Sequence, residues 1–232
     1  MLAAIGLVIS LAACSWTSRT GDLQEQSETI DLEGAESVVV NLRMGAGELT
    51  VRGGSDALVD AEFIYNVDEW EPTIDYAVSG DEGELWIEQP EVGSLSLESY
   101  RYEWILEFNE DVPMEMNVDL GAGVNELDVS ALSLTRLDLE MGVGDLNLDL
   151  TGEREQDLDV SIRGGVGSAT VLLPADVGVR AEVTGGLGSI DVDGLTREGD
   201  VYVNEAYEES DMTVNLDIEA GVGEIDLQVV DG

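Results

Sequence analysis

Apolar and polar residues alternate with a period of two along most of the chain. That period sends successive side chains to opposite faces and predicts β-strands with one face buried. The pattern is sharpest in Leu137-Asp-Leu-Glu-Met-Gly142-Val-Gly144-Asp-Leu-Asn-Leu-Asp-Leu150. Leu137, Leu139 and Met141 take one side and Asp138 and Glu140 the other; beyond the Gly-x-Gly turn, Leu146, Leu148 and Leu150 take the inside. Val214, Leu216 and Ile218, followed by Ile225, Leu227 and Val229, repeat the arrangement. Copies of the turn stand at Gly45 and Gly47, Gly121 and Gly123, Gly142 and Gly144, Gly165 and Gly167, Gly186 and Gly188, and Gly221 and Gly223. From Gly121 onward their first glycines are separated by 21, 23, 21 and 35 residues, the long last interval holding an insertion over about Gly194 to Asp211. Glycine suits such corners because it accepts positive φ and leaves no side chain to strike the next layer.

A single strand–corner–strand unit cannot bury its own apolar face, whereas units stacked about 4.8 Å apart can. The repeat therefore predicts an all-β chain built of stacked β-strand repeats, a β-solenoid or a closely related stacked sheet, with no substantial helix in its body. Two portions are expected. Residues 113–232 form a C-terminal Gly-x-Gly β-repeat domain whose buried positions are aliphatic, with no aromatic residue from 113 to 200. Residues 36–112 form an N-terminal β-domain that carries nine of the chain's twelve aromatics, from Phe63 to Phe108, and so packs a bulkier core. Alternation persists there in Gly83-Glu-Leu-Trp-Ile87 and Tyr102-Glu-Trp-Ile-Leu-Glu-Phe108.

Residues 2–13 are apolar or small and uncharged. The run is too short for a bilayer span, which needs about 20 residues, and has the length of a signal-peptide core. It ends in Leu11-Ala12-Ala13-Cys14, which resembles a bacterial lipobox. That resemblance implies removal of residues 1–13 as a lipoprotein signal peptide and diacylglycerol attachment to Cys14, hence an extracytoplasmic, lipid-anchored protein. The alternative is a buried strand carrying an ordinary core cysteine. No Lys or Arg precedes the apolar run, so the leader's positive charge comes from the amino terminus or from residues upstream of Met1. Residues 14–35 are mostly polar without periodicity and read as a tether.

Several segments follow one another in a familiar order: Gly45-Ala-Gly-Glu-Leu-Thr-Val-Arg-Gly-Gly54, Ala61-Glu-Phe-Ile-Tyr65, Trp104-Ile-Leu-Glu-Phe108, Pro113-Met-Glu-Met-Asn-Val118 and Gly121-Ala-Gly-Val-Asn-Glu-Leu-Asp-Val-Ser130. Over about residues 36 to 232 the chain resembles the toast-rack family, the extracytoplasmic β-domain group that includes LiaF-like proteins. The resemblance implies a rack of stacked strands. LiaF-like members carry transmembrane helices and restrain an envelope-stress kinase; this chain shows a lipobox in place of such helices.

Charge narrows the chemistry further. The chain holds 51 acidic against 9 basic residues, a net charge of −42, and every basic residue is Arg. Such a surface repels nucleic-acid phosphates and anionic lipid faces, so no nucleic-acid partner is expected. With no His and no Lys, the usual general base, the commonest metal ligand and Schiff-base chemistry are absent. The single Cys excludes an internal disulfide and thiolate clusters. Gly185-Gly-Leu-Gly-Ser-Ile-Asp191 resembles a calcium-binding repeat, but its Asp arrives one residue late and the nine-residue period is missing. Asp191 and Asp193 could associate weakly with cations; the alternative is a solvated strand face. The Gly-x-Gly copies lack the third glycine and following helix of a dinucleotide loop. Paired carboxylates suffice for glycoside hydrolysis, yet equivalent outward positions read Asn41, Asn117, Asp138, Ser161, Glu182, Asp217 and then Arg43, Asp119, Glu140, Arg163, Thr184, Glu219, a mixed face with no concentrated acidic layer. The expectation is a non-enzymatic lipoprotein, without cofactor or dedicated metal site, whose rigid β-repeat meets an envelope protein or glycan. The alternatives are a carboxylate-dependent polysaccharide-active solenoid and a purely structural envelope protein.

Overall fold

A computed structural model of the chain describes residues 21–90 and 100–231. Its strands are β1 (Gln24–Ile30), β2 (Ser37–Gly53), β3 (Val59–Tyr65), β4 (Thr73–Ser79), β5 (Glu82–Glu88), β6 (Tyr102–Phe108), β7 (Met114–Asp128), β8 (Leu134–Asp149), β9 (Leu158–Pro174), β10 (Gly178–Asp193), β11 (Thr196–Glu198), β12 (Val201–Val203) and β13 (Thr213–Val230). A single 3-10 turn at Asp68–Trp70 is the helical content of the described residues. All thirteen strands join one mixed sheet.

Six long strands form the body. They lie parallel in the order β2, β7, β8, β9, β13, β10, each with a Gly-x-Gly near its middle. The residues flanking each corner reveal a bend. Met44 and Leu49, Leu120 and Asn125, Met141 and Leu146 are each five positions apart, and all are buried. In a straight strand such positions face opposite ways. Both can be inside only if the chain turns at the glycines, so each strand becomes two arms whose inner faces share one apolar core. Where small residues stand at this inner angle the filling is incomplete. Gly164, Ala169 and Ala220 border a void of about 30 Å³ that residues of both arms line, Ile162 and Ile218 from the first, Ile225 from the second.

The glycines allow this stack to close. A Cβ placed on Gly144 would run into the carbonyl oxygen of Gly123, and one on Gly123 into that of Gly47. Gly167 meets Gly144, Gly223 meets Gly167, and Gly188 meets Gly223 in the same way. The first glycines form a second column, with Gly121 against Gly45, Gly142 against Gly121, Gly165 against Gly142, Gly221 against Gly165 and Gly186 against Gly221. Two side-chain-free columns thus let the corners approach to backbone contact, as a hydrogen-bonded ladder around a bend requires.

The two ends of the stack are finished differently. At the N-terminal end, β5 pairs with the first arm of β2 and β6 with its second arm. Gln89 spans the gap: its Oε1 accepts hydrogen bonds from the amides of Gly45 (2.7 Å) and Ala46 (3.0 Å), taking the place of a preceding corner. β4 pairs with β5, and β3 and β1 extend from β6. Here the aromatic-rich segment packs edge to face, Phe63 on Trp104 at 5.6 Å and Trp70 on Tyr102 at 5.1 Å between ring centroids. Part of the expected tether is a strand: Gln24–Ile30 pairs with Val59–Tyr65. Most of its side chains are exposed, so it has no apolar period to read. The backbone ladder holds it, with hydrogen bonds from Thr29 to Asp60 and from Tyr65 to Gln26. At the C-terminal end the insertion folds as the hairpin β11–β12, and β12 pairs with the first arm of β10 over Arg180–Glu182. Asn204 anchors it: buried, it accepts from the Val179 amide and donates to the carbonyls of Pro174 and Val177.

Candidate interaction surface

The outer face of the first arm carries most of the arginines of the long strands, set among a larger number of carboxylates. In spatial order one column reads Arg43, Asp119, Glu140, Arg163, Glu219, Thr184. Arg43 lies 2.9 Å from Glu88 and 3.6 Å from Asp119; Arg163 lies 3.9 Å from both Glu140 and Glu219. Placing β13 between β9 and β10 brings Glu219 beside Arg163, which sequence order alone would not. Arg136 with Asp138 and Arg180 with Glu182 add further pairs along the same arm. Each exposed pair is worth about 0–1 kcal/mol, so the arginines temper the repulsion on this face rather than staple it.

The second arm is different. Its outer columns run Glu48, Val124, Asp145, Ser168, Glu224, Ser189 and Thr50, Glu126, Asn147, Thr170, Asp226, Asp191. The next column includes Asp128 beside Asp149 and Asp193 beside Gln228. Arg52 of β2 is the basic residue on this face of the six long strands, and it pairs with Glu107 of β6. Charge is therefore segregated by arm, because the arginines of the repeat fall before the corners. Asp191 and Asp193, singled out as weak cation ligands, lie on this outer face, Asp191 opposite Asp226. Among the described residues no group of three or more Asp, Glu or Cys is placed to hold a metal ion.

Between the arms runs an apolar ridge. The middle residues of the six corners align as Ala46, Ala122, Val143, Val166, Val222 and Leu187. They point outward because the inside of the bend is taken by the flanking buried positions. Val143 is 53% exposed, Val166 49%, Val222 47% and Leu187 74%. At a strand spacing of about 4.8 Å these four form a stripe on the order of 15 Å long. Glycines on both sides leave it unshielded. Single exposed apolar residues are ordinary, but a contiguous row marks a contact surface. The sequence held the signal, an aliphatic residue in every Gly-x-Gly, but its outward direction follows only from the bend.

A second concavity, of about 320 Å³, lies at the strand ends far from the corners. Glu110, Asp111, Glu153 and Glu155 line it with Arg154. The Arg154 guanidinium donates to the carbonyls of Leu132 and Leu150, and burial pulls its pKa below the ordinary arginine value against the attraction of Asp149. These bonds tie the β8–β9 connection to the β7–β8 connection before it, a structural task. The expected lipid-attachment residue Cys14 and its lipobox neighbours Leu11, Ala12 and Ala13 lie outside the described residues. No helix among the described residues is long and apolar enough to cross a membrane.

Bent parallel strands, glycine corners and an aromatic-packed end define a corner-folded β-rack. Residues 19–172 match the family model described as the N-terminal domain of toast_rack, DUF2154. The chain belongs to the toast-rack family. Among solved structures it is similar to a candidate cell adhesion protein from Clostridium sporogenes, at 37% identity over 90% of this chain and 100% of that one, with a TM-score of 0.88. A candidate adhesin from Bacteroides fragilis aligns at 10% identity over 93% of this chain and 100% of that one, with a TM-score of 0.32. Comparison with curated proteins gives no match.

Proposed function

We propose that this chain is an extracytoplasmic lipoprotein, anchored through Cys14, whose rigid β-rack presents an adhesion or interaction surface to an envelope protein or glycan in the service of envelope-stress sensing. The observation that carries this reading is the corner ridge Val143, Val166, Val222 and Leu187, an aliphatic stripe raised between two glycine columns on a highly charged molecule. A core has no use for exposed aliphatics at these positions. Family membership supports the architecture, and the Clostridium sporogenes relative supports adhesion through the description it carries. The lipobox-like Leu11-Ala12-Ala13-Cys14 supports the anchor. The surface acts by contact, with no chemical step.

The test is capture from envelope extracts by the acylated protein, run beside a variant with Val166→Ser, Val222→Ser and Leu187→Ser. The expected result is a partner retained by the native chain and lost by the variant, with unchanged melting. Equal recovery by both, or recovery of neither protein nor glycan, refutes the ridge as the contact surface. Metabolic labelling with a fatty-acid analogue should mark the native chain and not Cys14→Ser. Turnover in a screen of plant and bacterial glycans would overturn the non-enzymatic reading in favour of carboxylate chemistry.

A further inference from the structure

The two ends of the rack differ in how they close, and the difference falls on one strand half. Long, regular sheet edges invite pairing with another chain, and proteins blunt them with short strands, bulges, proline, inward charges or polar faces. β11 is three residues long, and β1 has mostly exposed, polar side chains. β10 has neither defence in its second arm. Its first arm is paired to β12, but from Leu187 to Asp193 it is bonded to β13 on one side and to no described strand on the other. That stretch contains no proline and pairs with Val222–Gln228 without a register shift.

Its side chains state what is missing. Inward positions on the neighbouring strand are closed, Ile225 at 3% and Leu227 at 0% exposure; the equivalent Ile190 is 39% exposed and Val192 half-buried. The inner face therefore lacks one more layer of aliphatic side chains. The outer face lacks cations: Asp191 and Asp193 stand beside Asp226 and Gln228, with no basic residue on the second arm of β10 or β13.

We propose that the second arm of β10 is a strand-accepting edge for a polypeptide partner. The occupant it fits is an extended segment with aliphatic residues at alternate positions, covering Ile190 and Val192, and basic residues between them, facing Asp191 and Asp193. Main-chain bonds would supply affinity and the alternation specificity, as in other strand-addition sites. A second copy of this chain is the wrong occupant, because pairing two such edges juxtaposes their own aspartates. The inference rests on the reading of the rack as an interaction scaffold, but it concerns the edge rather than the ridge.

The experiment uses the mature chain and a short peptide of alternating valine and arginine, with a peptide of the same composition in blocked order as control. Amide hydrogen exchange is read residue by residue. The expected result is a slowing of about tenfold or more at amides within Leu187–Asp193, with first-arm amides unchanged and no effect from the blocked peptide. Ile190→Glu, an inward charge on this half-covered edge, should abolish the protection while first-arm exchange stays as in the native chain, which shows that the rack remains folded. The ridge variant should retain it, so failure of the ridge and failure of the edge are separable. Equal protection by both peptides reduces the effect to general charge attraction and overturns the proposal. So does absence of protection at this edge, or a dimer in sedimentation whose edge amides are already protected without peptide.

Discussion

Replacing Gly144 with alanine tests the bent-strand stack at a corner in backbone contact. A Cβ at this position falls against the carbonyl oxygen of Gly123, well inside the 3.0 Å that real Cβ atoms keep. The backbone there has φ +150°, a conformation L side chains rarely adopt. Holding an alanine in such a region costs about 1–3 kcal/mol. Relieving the overlap requires β8 to draw back from β7 at the corner, weakening about two backbone hydrogen bonds at about 1 kcal/mol each. Together these give a loss of about 3–5 kcal/mol, a large part of the roughly 5–15 kcal/mol that stabilises an ordinary domain. Gly164→Ala is the matched control. Its Cβ would meet nothing within 4 Å and would face the small void at the inner angle. It should be neutral or stabilising by about 0.4–1 kcal/mol, through the reduced freedom of the unfolded chain. Urea unfolding followed by far-ultraviolet circular dichroism at one fixed salt concentration measures both. A loss below about 1 kcal/mol for Gly144→Ala, or equal losses for the two variants, would refute the argument that the glycine columns exist for backbone contact.

Like charges stand side by side in the stack, Asp119 with Glu140, Asp128 with Asp149 and Asp191 with Asp226, so the melting temperature should rise with NaCl as screening weakens their repulsion; a melt indifferent to salt from low to molar concentration would count against this. Arg163→Glu turns a partly neutralised row into four consecutive acidic residues, Asp119 to Glu219, and should destabilise by about 1 kcal/mol at low salt and much less in molar NaCl, read from the same unfolding curves. Asn204→Ala removes three bonds to buried backbone groups and should cost about 2–3 kcal/mol, with faster amide exchange localised to β12 and the start of β10. Burial pushes the Tyr102 phenol well above its ordinary value of 10, against a smaller opposite pull from the Trp104 indole. The folded state therefore keeps this proton longer than the unfolded one, so the contribution is complete below pH 10 and declines as pH rises beyond it. Tyr102→Phe should flatten the alkaline loss of stability seen in denaturation between pH 9 and pH 12, and an unchanged slope would exclude this phenol as its source.

Local physics made much of the fold legible. Alternation identified the strands of the repeat, and glycine pairs at 21 to 23 residues identified its corners, because side-chain direction and steric room are properties of the residues themselves. The aromatic clustering before residue 112 marked the end of the rack that packs a bulkier core. Three features were not local and could not be read. β1 is polar on both sides, so its pairing left no period in a stretch read as tether. The sequence placed Met141 and Leu146 inside on either side of a corner, but only the bend as folded turns the residues between them outward and makes Val143, Val166, Val222 and Leu187 an exposed row. The insertion of β13 between β9 and β10 decided which charges are neighbours and which half-strand stays open, since pairing across the sheet depends on distant segments meeting in one register. Sequence determined what each rung is; the tertiary arrangement decided which rung comes last, and with it where the molecule remains unfinished.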